Sequence, residues 1–320
     1  DVADAIVHAV RQVRGAYSLL FLVPGRMIAV RDPMGFRPLS IGKVDGAYVI
    51  ASESCAFDLL GAEKIRDVER GEVLVVDVGG LHSFKPFPPT RPAPCAFEHV
   101  YFARPDSTVF GQSVQAVRKR LGAELWREHP AQVDVIVPVP DSGTFAALGY
   151  ANASGIPFDM GLVRNHYVGR TFIEPSQSIR NFGVRVKLNP VKETLRGRRI
   201  ALIDDSLVRG TTSKKIVQMC RDAGAAEVHL RISCPPTIGP CYYGIDTPRR
   251  DELIAGSKSV EQIRKFVGAD SLSYLSLDGM MKAIGGEKNE YCNACWTDEH
   301  PVPLPRAEEE QLRLFEKSRR

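Results

Sequence analysis

The stretch RRIALIDDSLVRGTTSKKIVQMCRDAGAAEVHLRIS, residues 198–233, limits the fold more than any other. An apolar run suited to a buried strand gives way to a loop. Then comes a segment with Ile216, Val217 and Cys220 on one helical face, and then a second strand-like run. Two strands joined through a helix run parallel, and a parallel sheet is covered by helices on both faces. VDVIVPVP (133–140) supplies another buried strand, and Val114, Val117, Leu121 and Leu125 repeat at helical spacing ahead of it. Ser259 and Gln262 in SVEQ have the spacing of a capping box and open a further helix. This half of the chain is expected to be α/β.

The first quarter follows a different rule. After a helix-like ADAIVHAVRQV, with Ile6, Val7, Val10 and Val13 sharing a face, come the short runs AYSLLFLV, RMIAVRD, GAYVIASE and EVLVVDV. Glycine and proline turns separate them, so mainly antiparallel strands are expected. HSFKPFPPTRPAP (82–94) has too much proline for a central strand and suits an interdomain connection. The expected organisation is therefore 1–86, 87–300 and a charged tail, 301–320. Opening on Asp1 within a helix-like segment, the chain reads as starting inside a domain.

Lysine and arginine number 42 against 38 acidic residues, a net charge of +4, with no long basic block. A duplex nucleic-acid footprint is not indicated, and an anionic ligand must be bound locally. No apolar run approaches the ~18 residues of a membrane span, and no leader pattern opens the chain, so a cytoplasmic protein is expected. Seven cysteines, an odd count that includes Cys292-x-x-Cys295, do not form a secreted disulfide pattern. The Cys-x-x-Cys pair by itself fits a metal half-site, a redox pair or two unrelated thiols. Cys220 and Cys55 read as core residues.

The adjacent Asp204 and Asp205 are the oddity in the opening stretch. In an open α/β sheet, ligands bind at the carboxyl ends of the strands, where the next helix offers amides to an anion. Gly210 allows close backbone approach, Thr211 and Thr212 add hydroxyls, and Arg209 adds charge, so the loop suits a phosphate. It lacks the Walker pattern G-x-x-x-x-G-K-[ST]. Two carboxylates upstream suit vicinal sugar hydroxyls and a hydrated Mg2+. The plainer alternative is that Asp204 ends a strand while Asp205 or Ser206 caps a helix. Pair and loop together favour a ribose phosphate.

IDDSLVRGTTS resembles the phosphoribosyl-pyrophosphate (PRPP) loop of type I phosphoribosyltransferases, above all in the glutamine PRPP amidotransferase family. FEHVYFARPDS (97–107), VPVPDSGTFAALGYA (137–151), YVGRTFIEPSQSIR (167–180), GVRVKLNP (183–190), CYYGIDTP (241–248) and DELIAG (251–256) resemble that family too. The resemblance implies a type I phosphoribosyltransferase fold preceded by part of an N-terminal-nucleophile hydrolase domain. It assigns the 5-phosphate to Ser206, Leu207, Val208, Arg209, Gly210, Thr211 and Thr212, and the ribose and Mg2+ region to Asp204 and Asp205. PDSG (140–143) becomes the pyrophosphate loop, with Ser142 at the metal site. A lid over about 165–190 would use Tyr167, Arg170, Arg180, Arg185 and Lys187, and His166 departs from the arginine usual there.

The implied chemistry is displacement of pyrophosphate from ribose C1 by ammonia, the first committed step of purine biosynthesis. The resemblance further implies a [4Fe-4S] cluster on Cys95, Cys241, Cys292 and Cys295, with zinc on the same thiols as the alternative and Cys234 as a decoy. It implies purine nucleotide inhibitors and a homotetramer. RGAYSLLF, VRDPMGFRPL and ASESCAFDLL match the later part of the glutaminase domain, so no glutaminase nucleophile is assigned and free ammonia would be the nitrogen source. A phosphoribosyltransferase acting on a nucleobase, or a PRPP-sensing regulator, are the rival readings.

Overall fold

The computed structural model describes residues 1–165 and 188–304. The expected lid residues Tyr167, Arg170, Arg180, Arg185 and Lys187, and the tail from 305, lie outside them.

In the first half α1 (Val2–Val10) precedes β1 (Ser18–Val23), β2 (Arg26–Arg31), β3 (Ser40–Val44) and β4 (Ala47–Ala51). There follow α2 (Cys55–Leu60), β5 (Glu63–Asp67), β6 (Val73–Asp77) and β7 (Gly80–Phe84). All pairings are antiparallel, in two sheets ordered β1-β2-β6-β7 and β4-β3-β5. The two-residue period of a strand divides the core. Ile28, Val30, Val73 and Val75 meet Ala3, Val7 and Val10 of α1, whereas Ala29 and Leu74 meet Leu39, Ile41 and Val68 on the opposite face. Helix α1 stops before Val13, which is exposed. Strand β7 runs to Phe84, three residues into the proline-rich segment. EKIRD, the sequence of β5, is too polar to announce itself as a strand, and β3 pins it there through Ile41↔Arg66 and Ser40↔Asp67.

The second half begins with the short β8 (Thr108–Val109) and β9 (Gln112–Ser113), then α3 (Val114–Glu128), β10 (Val135–Pro138) and α4 (Thr144–Ser154). Next are β11 (Leu162–Arg164), β12 (Leu188–Pro190), α5 (Lys192–Leu195), β13 (Arg199–Asp204), α6 (Thr211–Asp222) and β14 (Glu227–Ile232). The described residues end with α7 (Val260–Val267), β15 (Ser271–Tyr274), α8 (Leu277–Ile284) and α9 (Ala294–Thr297). Strands β10-β13-β14-β15 form the parallel sheet, which has one more strand than the sequence announced. SLSY alternates too weakly to be read alone.

Val117, Leu121 and Leu125 are fully buried in one continuous core with Ile200, Leu202, Ile216 and Leu230, while Val114, equally buried, packs with Ala103 and Val109 in a small separate cluster. Helices α3 and α4 cross closely because two glycines allow it. A Cβ on Gly122 would stand 1.8 Å from the Ala146 carbonyl oxygen, and one on Gly149 1.9 Å from that of Lys119. The capping box of α7 forms as expected, with Gln262 N donating to Ser259 Oγ and Ser259 N to Gln262 Oε1.

Candidate ribose-phosphate site and cysteine cluster

Strand β13 ends on Asp204 at the carboxyl edge of the sheet. Asp205 N donates to Asp204 Oδ1 at 2.9 Å, and Ser206 Oγ donates to Asp205 Oδ2 at 2.6 Å. Both aspartates are buried. Burial, and then the charge of Asp205, push the Asp204 carboxyl well above the usual carboxylate range. Two such groups side by side suit a cation and hydroxyl donors, so the pair fits Mg2+ with ribose.

Beyond the pair, Gly210 takes φ +74° and turns the chain into α6, a conformation that disfavours other residues. It has no side chain to cap the helix, so the first-turn amides of α6 suit an anion at the sheet edge. Thr211 and Thr212 are exposed at that start. Leu207, at 2% exposure, is packed inward, which leaves its backbone as the part able to serve a ligand. The far side of the loop rests on residues 249–256, where Ile254 N donates to Val208 O at 3.0 Å. Arg209, expected to add charge for a phosphate, is paired with Glu252 at 3.1 Å.

The PDSG turn lies directly against the same strand end. Val139 N donates to Ile203 O at 2.8 Å, and a Cβ on Gly143 would be 2.3 Å from that oxygen and 3.2 Å from Asp204 Cα. Glycine at 143 is thus what brings the turn beside the acidic pair. Ser142 is half-buried in it, and Asp141 pairs with Arg164 at the end of β11.

The four cysteines named from distant segments meet where the two halves join. Cys292 N donates to Pro94 O at 2.9 Å and Ala96 N to Cys292 O at 3.1 Å, which lays Cys95 beside Cys292. Cys292 and Cys241 share an apolar cluster with Phe36, Ala93 and Tyr243, and Phe36 stacks on Tyr243 at 4.4 Å. Burial pushes the Cys292 thiol up to about 11, with the charge of Cys241 adding to the rise. Burial and the neighbouring cysteines push Cys95 and Cys295 up as well. Four sulfurs from three segments, each within electrostatic reach of others, fit a soft metal centre. Among the described residues, no three His, Cys, Asp or Glu side chains are gathered tightly enough to hold a metal ion as they stand.

Cys220 is core, as expected. Cys55 is not: it is half-buried at the start of α2, with Phe57 filling the interior instead. Cys234 is fully buried, with its Sγ donating to Pro235 O at 3.3 Å.

The charged seam between the halves had no role in the physical reading of the sequence. Arg37 pairs with Glu98 at 3.0 Å and lies over the Phe102 ring. Glu53 accepts from Arg104 N and Ser107 Oγ, and Ser54 from Thr108 N. A charge inside VRDPMGFRPL, ASES and FEHVYF was the available signal.

Sheet order, acidic pair and loop put the second half in the type I phosphoribosyltransferase class, joined here to two antiparallel sheets. No protein-family model matches the chain. It is 53% identical over 298 residues to the chloroplastic amidophosphoribosyltransferase of Glycine max, covering 93% of this chain and 52% of that protein. With the amidophosphoribosyltransferase of Archaeoglobus fulgidus it shares 51% identity over 307 residues, covering 95% and 67%. Among solved structures, glutamine PRPP amidotransferase from B. subtilis, complexed with ADP and GMP, matches with a TM-score of 0.90 at 47% identity, covering 96% of this chain and 68% of that one. The chain belongs to the amidophosphoribosyltransferase family. It spans about half the length of the plant relative and about two-thirds of the archaeal one.

Proposed function

We propose that this chain carries the PRPP half of an amidophosphoribosyltransferase, the first committed enzyme of purine biosynthesis. The whole enzyme would convert PRPP, glutamine and water to 5-phosphoribosylamine, glutamate and pyrophosphate. The observation that carries the reading is the buried Asp204–Asp205 pair, flanked by the Gly143 turn and the Gly210 loop. Asp204 and Asp205 would accept from the ribose hydroxyls, while backbone amides from Ser206 to Thr212 and the hydroxyls of Ser206, Thr211 and Thr212 hold the 5-phosphate. Ser142 and the two aspartates would hold Mg2+, which neutralises charge on the departing pyrophosphate when bound. Residues of the PDSG turn would keep that pyrophosphate in line with ribose C1. Ammonia attacks C1 as the bond to pyrophosphate breaks, and its extra proton passes to solvent. The chain's contribution is to orient reactants and exclude water, a task made of binding groups and needing no single acid or base.

Cys95, Cys241, Cys292 and Cys295 are proposed to hold a [4Fe-4S] cluster with a structural or regulatory role, since the reaction transfers no electrons. The ADP and GMP bound by the B. subtilis relative support purine nucleotide inhibition here. A homotetramer in the cytoplasm completes the reading. Among the described residues no helix is long and apolar enough to cross a membrane.

The test is pyrophosphate release from PRPP and Mg2+. Ammonia should support it, while glutamine alone should not, because no glutaminase nucleophile is assigned to this chain. Release with a nucleobase but not ammonia would favour the rival phosphoribosyltransferase. PRPP binding without release would favour a sensor.

A further inference from the structure

The loop proposed for the 5-phosphate is fastened by its carbonyls. Val208 O accepts from Ile254 N at 3.0 Å, and Gly210 O accepts from Lys214 N at 2.9 Å. Among the described residues, no backbone amide from Ser206 to Thr212 donates to another protein group. Such amides suit an anion only while the backbone that carries them keeps one curvature. The turn of that curve is Gly210, at φ +74°, which has no side chain of its own to hold it in place.

The hold comes from outside the motif. A Cβ on Gly210 would stand 3.0 Å from Ile254 Cδ1, 3.2 Å from Phe266 Cε1 and 3.4 Å from Phe266 Cδ1. These side chains close the space behind the turn, and Gly210 is buried. Phe266 is on α7, which is itself fixed: Ile263 and Val267 are fully buried in the core that holds Ile216 and Val217 of α6. The ring is only half-buried, and Lys214 Nζ lies over it, 5.0 Å from the centroid. Lys214 therefore engages the turn twice, through its amide on Gly210 O and through its ammonium on the ring packed against Gly210. A phenylalanine kept for burial alone would turn inward with Ile263 and Val267. Phe266 instead sets its edge against a residue that has no side chain.

We propose that Phe266 is a positioning residue for the 5-phosphate of PRPP: its ring edge, with Ile254 Cδ1, stops the loop from backing away at Gly210, so that the amides stay preorganised around the phosphate. The proposal rests on the PRPP reading above and adds to it a residue that does not touch substrate. Phe266→Ala opens the space behind the turn. It should weaken PRPP and ribose 5-phosphate about tenfold each, the cost of ordering roughly one residue of backbone on binding, with kcat within about twofold. Inorganic pyrophosphate, assigned to the PDSG turn, should keep its affinity within about twofold. Phe266→Leu retains apolar bulk and should recover part of the loss. Val267→Ala, a change to a fully buried core residue at the next position, should lower the melting temperature and move none of these affinities. Gly210→Ala suffers both from its φ and from its Cβ contacts, and Phe266→Ala relieves the second. The double variant should therefore bind ribose 5-phosphate more tightly than the two single losses combined predict.

The measurements are calorimetric affinities for PRPP, ribose 5-phosphate and inorganic pyrophosphate with Mg2+, and ammonia-dependent pyrophosphate release at varied PRPP, for each folded variant. An unchanged ribose 5-phosphate affinity in Phe266→Ala, an equal loss for pyrophosphate, a matching loss in Val267→Ala, or strict additivity with Gly210→Ala would each overturn it. If Phe266→Ala does not fold, Phe266→Leu decides, and it must then bind ribose 5-phosphate more weakly than wild type with pyrophosphate unchanged. A wild-type chain that binds neither PRPP nor ribose 5-phosphate defeats the functional reading and this proposal together. Wild-type binding that the Phe266 variants retain in full defeats the proposal alone.

Discussion

The acidic pair and the four cysteines are two groups proposed to bind ligands, one buried and one buried in part, and they are built in opposite ways. Asp204 and Asp205 are neighbours in sequence, delivered by one strand end, and their problem is charge: burial and proximity push the Asp204 carboxyl well above the usual carboxylate range. The cysteines come from residues 95, 241, 292 and 295, brought together by linker and C-terminal backbone contacts, and their problem is assembly. A local motif places its own atoms, whereas a dispersed one depends on the fold being right first. Damage should accordingly spread differently: a change at the aspartates should strike PRPP and leave the fold, and a change at the cysteines should strike the join between the halves.

The largest expected effect is at the acidic pair. Asp204→Asn with Asp205→Asn keeps the shape and removes the charge, and should lower ammonia-dependent pyrophosphate release at least about a thousandfold, beyond the loss of a single stabilising donor. Melting temperature should hold or rise, because two crowded acidic groups in the interior become neutral amides. A variant that loses stability and activity together would break the contrast. Gly143→Ala comes next. Its Cβ would be 2.3 Å from Ile203 O, so the turn must move away from Asp204. PRPP affinity should fall by roughly tenfold or more, with a destabilisation of about 1–3 kcal/mol, typical of overpacking. Calorimetry with PRPP and Mg2+ checks both against wild type.

The same difference explains how much was legible. RRIALIDDSLVRGTT gave strand, loop, helix and carboxylates together because everything it needs lies within fifteen residues. Val114, Val117, Leu121 and Leu125 were equally readable, since helical spacing is a local property. Strand β5 was not, because EKIRD becomes a strand through pairing with β3. Nor was the seam: Arg37–Glu98 spans sixty-one positions, and nothing local to either residue names the other. The cysteine set came from family resemblance alone, as spacing supports no more than the Cys292–Cys295 pair. Even inside the best motif, Arg209 turned out to be held by Glu252, a partner outside the stretch.

Removing a cysteine ranks third. Cys292→Ser should abolish stoichiometric iron and sulfide in anaerobically purified protein, and Cys234→Ser should leave both unchanged. Zinc at one equivalent without iron would instead assign the same thiols to a zinc site. With the Cys292 side chain packed among Phe36, Ala93 and Tyr243, the more polar serine should also loosen the linker, read as faster amide exchange at 93–97. PRPP affinity should change much less than in the aspartate variant. Metal loss that abolishes PRPP binding outright would show that the two clusters are not separable.

The smallest expected effect is a pH dependence at the seam between them. Burial raises the Glu98 carboxyl from 4.5 to about 7; Arg37 opposes the rise, Glu53 adds to it, and Arg118 opposes it. A carboxyl raised on folding stabilises the fold fully below its unfolded value, and that contribution fades as pH climbs through 4.5 toward 7 and stays lost above. For a shift of this size the change is on the order of 3 kcal/mol. Melting temperature should fall by several degrees between pH 5 and pH 8, a few degrees for each kcal/mol in a protein of this size. Glu98→Gln cannot titrate and resembles the protonated carboxyl, so it should melt close to wild type at pH 5. A gap in favour of the variant should then open as pH rises and wild type loses stability. A constant gap would mean that Glu98 keeps one protonation state throughout, with Arg37 holding it charged, and the seam would then be a plain ion pair.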